Sequence, residues 1–191
     1  MTEEFKNKAK VLFGGFLIHL CLGCIFLWGN LAPYVISYFY HFGGSNGEGQ
    51  KWIHMSDAVY VLPINLMVVM ATNPIGAYLL QGKSPQLMLA YCTGFMFLCA
   101  MSASFITKFQ VFLMFYPTLF GIMMGSGYLP PLQCGWEWLP DRKGLANGII
   151  LGAFGFGSFV FSFLALTVIN PDNIMAQVYE DGRKFYPPEV A

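Results

Sequence analysis

The sequence predicts an all-α integral membrane protein that folds as a bundle of five transmembrane helices. Five long apolar stretches contain no acidic or basic residue, and together they fill most of the 191-residue chain. Each stretch is near or above the roughly 20 residues that a helix needs to cross about 30 Å of hydrocarbon. Lipid offers no partner to free backbone groups, so each stretch must be a helix with internal hydrogen bonds. The predicted spans cover residues 11–42, 58–80, 87–106, 109–133 and 145–169.

The composition agrees with a membrane protein and argues against other classes. Hydrophobic residues make up 56% of the chain and charged residues 10%, against about 25% charged residues in an ordinary soluble domain. A net charge of zero without a basic run gives no sign of nucleic acid as a partner. The chain therefore divides into a polar N-terminal tail at 1–10, a transmembrane bundle at 11–169 and a polar C-terminal tail at 170–191. Its expected surroundings are the lipid bilayer.

The distribution of basic residues predicts the orientation of the chain. If the spans alternate in direction, the N-terminal tail, the 81–86 turn and the 134–144 loop share one side, which carries six basic residues. The opposite side carries four. The positive-inside rule then places the N-terminus in the cytoplasm, or in the matrix if the membrane is mitochondrial. Five spans would leave the C-terminal tail on the other side.

The first span is long, and Gly29 and Pro33 weaken its second half. Asn30 and Tyr34 lie four residues apart and therefore share one helix face, as residues that line a polar cavity would. The alternative is that Asn30 bonds to a neighbouring helix and Tyr34 lies at the membrane interface. His19 is predicted to be a buried neutral imidazole bonded to another helix, with a proton relay as the alternative.

The second span is also broken and partly polar. Asn65 and Asn73 are eight residues apart, roughly two turns, and therefore face the same way. The first and second spans could meet along a shared polar seam. Irregular helices near the midplane are a feature of transporter binding sites, although they are also common in packed bundles. The candidates for a substrate path are Asn30, Tyr34, Asn65 and Asn73.

Glycines in the fourth and fifth spans predict close helix packing. Small residues at intervals of four let helix backbones approach one another and gain van der Waals contact. These glycines lie in apolar helices and lack the Lys-Ser/Thr of a phosphate-binding loop, which favours packing over phosphate binding. Pro130 and Pro131 are expected to end the fourth helix. The predicted packing positions are Gly121, Gly125, Gly144, Gly148 and Gly152.

The segment between the fourth and fifth spans combines Trp136 and Trp138 with Pro140, Asp141 and Arg142. The aromatic pair suits the membrane interface, and Asp141 is expected either to cap the following helix or to pair with Arg142. This segment resembles the loop between helices four and five of major facilitator transporters, especially the oxalate/formate antiporter and monocarboxylate-transporter-like branch. There an aromatic or apolar residue, a proline, a charged pair and a glycine precede a glycine-rich fifth helix.

Two further segments resemble the same branch. Residues 23–38, with Trp28, Gly29, Pro33 and Tyr34, are similar to its first helix. Residues 169–173, 181–182 and 185–187 are similar to the loop after helix five in protist members. Together the likeness runs from about residue 11 to the C-terminus.

The resemblance implies the N-terminal half of a major facilitator transporter. Such a transporter has twelve helices in two six-helix domains, with substrate bound between them and alternating access by rocking. This chain departs from the pattern because it ends before a sixth helix. Its 76–85 segment lacks the Asp and Arg that latch the two halves. In this branch the cationic residues that grip an anionic substrate belong largely to the second half, and no span here offers a replacement charge.

Two functions follow from these observations. The predicted function is a transport-incompetent accessory or structural subunit that packs against other subunits of a larger membrane complex. The alternative is half of a secondary active transporter for small organic anions of the oxalate, formate or monocarboxylate type. The membrane is expected to be the mitochondrial inner membrane or the plasma membrane.

An enzyme is not expected. The sequence offers no Ser-His-Asp set, no carboxylate pair and no metal cluster, and its three histidines are scattered. Catalytic residues, a metal site and a cofactor are therefore not predicted.

Overall fold

The computed structural model describes residues 3–44, 47–80, 85–179 and 182–190. Six α-helices make up most of this part of the chain, joined by short 3-10 segments at Gly23–Leu27, Met55–Tyr60 and Pro140–Arg142, and two short strands follow the last helix. The helices are α1 (Glu3–Leu22), α2 (Trp28–Phe42), α3 (Val61–Leu80), α4 (Pro85–Ala103), α5 (Phe109–Trp138) and α6 (Lys143–Ile169); the strands are β1 (Gln177–Val178) and β2 (Lys184–Phe185).

The predicted fold class, an all-α integral membrane bundle, is confirmed. Within the described residues, four stretches are long and apolar enough to cross a membrane: Glu3–Phe42, Met55–Tyr78, Phe109–Trp138 and Pro140–Ile169. The remaining predicted span corresponds to α4, which contains the shorter apolar helix Thr93–Ala103. The 81–84 part of the turn before α4 lies outside the described residues.

The first span is one continuous rod made of α1, a 3-10 segment and α2. Its helix begins at Glu3, so the predicted polar tail at 1–10 is helical from that residue onward. An ion pair at 2.7 Å joins Lys8 Nζ to Glu4 Oε1 one turn away. Oppositely charged residues at this spacing stabilise a helix, which explains why the polar tail continues the apolar rod.

Helix α5 corrects the prediction that Pro130 and Pro131 end the fourth span. The helix runs through Pro117, Pro130 and Pro131 and ends only at Trp138. A proline removes one backbone donor, whereas ending the helix would leave several backbone groups unpaired in a buried region. All three prolines are buried between neighbouring helices, where surrounding groups can take up the freed carbonyls.

Helix α3 packs chiefly on α5, and α1 packs on α6 and α5. The rod α1–α2 and helix α6 run parallel, because contacts between them advance in the same direction along both. Gly15 faces Ile150, Gly23 faces Phe154, and Asn30 bonds to Ser162. The N-terminal end of the rod and the C-terminal end of α6 therefore lie at opposite ends of the bundle.

After α6 the chain turns back and crosses the end of α2. We call residues 170–179 and 182–190 the strap. Its strands β1 and β2 pair antiparallel, with Gln177 opposite Phe185 and Val178 opposite Lys184. The sequence predicted a polar C-terminal tail, yet Phe185 is fully buried in the main hydrophobic cluster, together with Tyr40 and Ile53 of the bundle. The strap is therefore an integral part of the fold.

Candidate functional site

The polar face of α2 is turned toward α6, and Asn30 and Tyr34 both lie on it. Asn30 is exposed at the bundle surface, and its Nδ2 donates to Ser162 Oγ at 2.9 Å. Tyr34 is buried, and its hydroxyl oxygen accepts a hydrogen bond of 3.1 Å from Asn170 Nδ2. Asn170 is the first residue beyond α6, so the end of α6 positions the partner of Tyr34.

The strap covers Tyr34 with a second tyrosine. The rings of Tyr34 and Tyr186 stack with centroids 4.2 Å apart and an angle of 25° between their planes. Hydrogen bonding to Tyr34, assisted by partial burial, raises the pKa of Tyr186. The backbone N–H of Tyr186 donates to Ser37 Oγ at 2.9 Å, and its carbonyl oxygen lies 2.9 Å from His41 Nε2. A carbonyl can only accept, so His41 donates through Nε2.

The strap is held by contacts on both sides of Tyr186. Phe185 stacks on Tyr40 with centroids 3.9 Å apart. The guanidinium group of Arg183 donates to the carbonyl oxygens of Ile53, at 2.7 Å, and Lys51, at 2.6 Å. The Nζ of Lys51 in turn lies 4.0 Å from the centroid of the Tyr40 ring. These contacts fix the position of Tyr186 relative to α2.

A pocket of about 520 Å³ opens between α2, the end of α6 and the strap. Its described lining contains amide and hydroxyl groups and no formally charged side chain. A ligand in this pocket would be recognised by neutral hydrogen-bond donors rather than by an ion pair. The polar residues of the lining are Asn30, Tyr34, Asn170, Asn173 and Tyr186.

Asn65 and Asn73, the other two candidates for a substrate path, are not among the described residues that line this pocket. Asn65 is buried and donates through Nδ2 to the carbonyl oxygen of Pro117 on α5, at 3.0 Å. Asn73 lies on the same helix, and within the described chain its buried Oδ1 has no hydrogen-bond partner. Asn65 and Thr72 of α3 thus bond to backbone carbonyls of α5, the helix on which α3 packs.

The predicted packing glycines fall into two groups. A side chain at Gly121 would lie 2.9 Å from the carbonyl oxygen of Asn65, and one at Gly125 would lie 2.7 Å from that of Val69. Both positions thus allow α3 and α5 to approach closely. At Gly144, Gly148 and Gly152 an added Cβ would meet nothing within 4 Å in the described structure. That these three glycines pack against another helix stays a prediction.

Asp141 and Arg142 lie in the exposed 3-10 turn before α6. The predicted cap by Asp141 is not formed: Arg142 occupies the cap position of α6, without a side-chain cap hydrogen bond. Trp136, near the end of α5, bonds instead to α6: its Nε1 donates to Asn147 Oδ1 at 2.6 Å.

His19 is fully buried, but the predicted hydrogen bond to another helix is absent from the described structure. The imidazole instead packs against Tyr128, with ring centroids 5.0 Å apart, and against the edge of Phe154. Across the described residues no three potential metal ligands come together.

Sequence reasoning missed three residues of the pocket region: Ser162, Asn170 and Tyr186. The pairs Asn30–Ser162, Tyr34–Asn170 and Ser37–Tyr186 are separated by 132, 136 and 149 positions. No local pattern connects residues so far apart. The available signals were a polar residue within an apolar span at Ser162 and an aromatic pair, Phe185 and Tyr186, in a polar tail.

Two curated proteins are similar to the chain, and both are described as transport proteins. Apicoplast pyruvate carrier 1 of Toxoplasma gondii is 27% identical over 203 aligned positions, which take in 91% of this chain and 37% of the carrier. An uncharacterized MFS-type transporter of Escherichia coli K12, YhjX, is 41% identical over 46 residues, 24% of this chain and 11% of the transporter. No family model matches the chain, and no solved structure matches it significantly.

The chain is a transporter-like membrane protein. The helical bundle and the similarity to known and presumed transporters support this conclusion together. The chain spans little more than a third of the pyruvate carrier that it matches. The resemblance to major facilitator transporters is supported in part, since the MFS-type relative matches over a short segment.

Proposed function

We propose that the chain forms part of a secondary carrier for small organic anions, with a 2-oxo monocarboxylate such as pyruvate as the first candidate. The pocket at Asn30 and Tyr34 is its part of the solute path. The observation that carries this proposal is an uncharged polar pocket on the first span in a chain similar over 91% of its length to a pyruvate carrier.

The exposure of Asn30 supports a hydrated path at this face. An amide on a membrane span is costly to leave in hydrocarbon, so such groups usually face a protein surface or a water-filled cavity. Asn30 is exposed in the described structure, although its Nδ2 reaches Ser162. The face that contains Asn30 and Ser162 is therefore the side on which water and solute would be expected.

Four glycines of α6 that have no neighbouring atoms beside them lie on the same helix face as Ser162. Gly144, Gly148, Gly152 and Gly155 follow at helical spacing, and an added Cβ at any of them would meet nothing within 4 Å. Continuing with the same spacing leads to Ser162 and to Leu166 at the pocket. Small residues at this spacing favour a close helix partner. We therefore assign the glycine part of this face to the remaining helices of the carrier and its Ser162 end to the solute path.

An accessory subunit is the second candidate function. The open glycine face would equally accept a helix of a different protein, because glycine stripes favour close approach irrespective of the partner. The two functions differ in whether a solute crosses the membrane. The mitochondrial inner membrane and the plasma membrane both remain predictions for either function.

Transport measured in proteoliposomes tests the proposal. The protein, purified together with the membrane partners that complete the carrier, should support saturable uptake of labelled pyruvate. Asn30→Leu should lower this uptake at least fivefold because it removes a donor from the pocket. Thr167→Val is the matched control: Thr167 is exposed on α6 and bonds only to carbonyls of its own helix, so uptake should not change.

Two results would contradict the carrier. One is the lack of saturable uptake of pyruvate, lactate, formate and oxalate by the folded protein together with its membrane partners. The other is equal uptake by the Asn30→Leu variant and the wild type. Recovery of the protein in fixed stoichiometry with other membrane subunits, without uptake, would establish the accessory function instead.

A further inference from the structure

We propose that Tyr186 is a ligand-contacting residue of the pocket, delivered by the strap, and that with Tyr34 and Asn30 it selects a two-oxygen acceptor such as a carboxylate. This inference rests on the proposed function, because it names the residues that would recognise the solute. It assigns a role in recognition to a segment that lies outside the membrane-spanning helices.

The strap holds Tyr186 in a fixed position. The backbone N–H and C=O of Tyr186 are both bonded to α2, through Ser37 and His41. The preceding residue, Phe185, is fully buried. A segment with both backbone groups and its neighbouring side chain engaged does not swing freely, so Tyr186 belongs to the pocket wall rather than to a mobile lid.

Counting the donors of Asn170 and of the two stacked tyrosines shows which of their groups remain for a ligand. Both N–H groups of the Asn170 amide are used, by Tyr34 Oη and by the carbonyl oxygen of Ile174. Tyr34 and Tyr186 have two O–H groups, and their rings stack with centroids 4.2 Å apart, so one hydroxyl can at most donate to the other. One tyrosine O–H is therefore left to donate into the pocket, whichever ring supplies it.

Asn30 supplies a second donor on the same face. Its Nδ2 carries two hydrogens, and the bond to Ser162 Oγ uses one. Residues four apart on a helix have Cβ atoms about 5–6 Å from each other, so the donors at Asn30 and Tyr34 are side by side. An ionised carboxylate only accepts hydrogen bonds and has two oxygens, which matches this pair of donors.

A double-mutant cycle on the two tyrosines tests the inference. Phenylalanine keeps the stacked rings, so Tyr34→Phe and Tyr186→Phe remove only hydroxyl groups. In either single variant the remaining tyrosine still donates, and KM for pyruvate uptake should rise less than threefold. The double variant has no tyrosine donor, and its KM should rise more than tenfold with little change in kcat.

Tyr179→Phe is the control on the same strap. The Tyr179 hydroxyl lies outside the pocket lining and contacts His41 Nε2, which also bonds to the carbonyl oxygen of Tyr186. This variant therefore measures the loss of a strap hydroxyl that is not a pocket donor. Its KM should match the wild type. Hydrogen–deuterium exchange at residues 182–187, measured on every variant, should stay slow and show that the strap remains seated.

Three results would overturn the inference. The first is a KM of the double variant no higher than that of either single variant. The second is a KM of Tyr186→Phe equal to that of Tyr179→Phe, together with an unchanged KM in the double variant. The third is a rise in KM that occurs only in variants whose strap exchanges hydrogen faster. Failure of the proposed function is distinguishable, because it would show as no uptake by the wild-type protein.

Discussion

At the scale of single residues, the role of a glycine depends on the surface that faces it. On α6, an added Cβ at Gly157 would collide with the backbone carbonyl of Leu20, whereas one at Gly152 would meet nothing within 4 Å. Gly23 on the opposing rod faces the carbonyl of Phe154 in the same way. The glycines at 23 and 157 therefore set the distance between the first rod and α6.

Gly157→Ala should destabilise the bundle by about 1–3 kcal/mol, the usual cost of forcing extra volume into a packed contact. Gly152→Ala on the same helix should leave stability unchanged or slightly improved, because alanine favours a helix over glycine. Thermal unfolding of the purified protein in detergent measures both. Equal melting temperatures for the two variants would show that α6 does not approach the rod as described.

At the scale of elements, the strap is the least expected part of the molecule. Its short strands gain little from each other, since an isolated hairpin is marginal in water. What holds the strap is the burial of Phe185 against Tyr40 and the bonds of Arg183 to two carbonyls of the 47–54 segment. Its stability therefore depends on the bundle beneath it.

Phe185→Ala should release the strap. Truncating a buried phenylalanine costs about 3–5 kcal/mol, and every 1.4 kcal/mol is a factor of ten in an equilibrium. Opening of residues 182–190 should thus become at least about a hundredfold more favourable. Hydrogen exchange or limited proteolysis measures this opening, with the exposed neighbour Lys184→Ala as the control. Unchanged protection in Phe185→Ala would mean that the strap is held elsewhere.

At the scale of the whole molecule, the parallel course of the first rod and α6 separates the two ends of the chain. The rod begins at Glu3 and α6 ends at Ile169, and matching contacts run in order along both. This arrangement agrees with the odd number of predicted spans. The predicted assignment of the N-terminal end to the cytoplasm or matrix rests on the distribution of basic residues.

Single cysteines introduced at Asn7 and Asp172 in a cysteine-free background should react with an impermeant thiol reagent from opposite sides of sealed vesicles. The positive-inside rule further predicts that position 7 is labelled from the cytoplasmic or matrix side. Labelling of both positions from one side would contradict the parallel arrangement across the bilayer. Labelling of position 7 from the outer side would overturn the orientation alone.

The helical spans were predictable because hydropathy is a local property of the sequence. The site was not predictable, because its residues are far apart in the sequence. The apolar runs predicted the ends of α3 and α6 to within a few residues. The path through Pro130 and Pro131 depends on neighbouring helices, so local proline rules gave a wrong end for α5. Asn30 and Tyr34 share a face, as their spacing predicted, but their partners Ser162 and Asn170 lie beyond the reach of any local pattern.

The uncharged lining of the pocket has a consequence for turnover. Two hydrogen bonds from neutral donors to a carboxylate contribute about 1.5–3 kcal/mol each, less than the roughly 8 kcal/mol of a micromolar complex. A solute held only by these bonds binds weakly and dissociates quickly. An uncharged pocket of this kind suits rapid transport at high solute concentration and is poorly suited to uptake of a solute at low concentration.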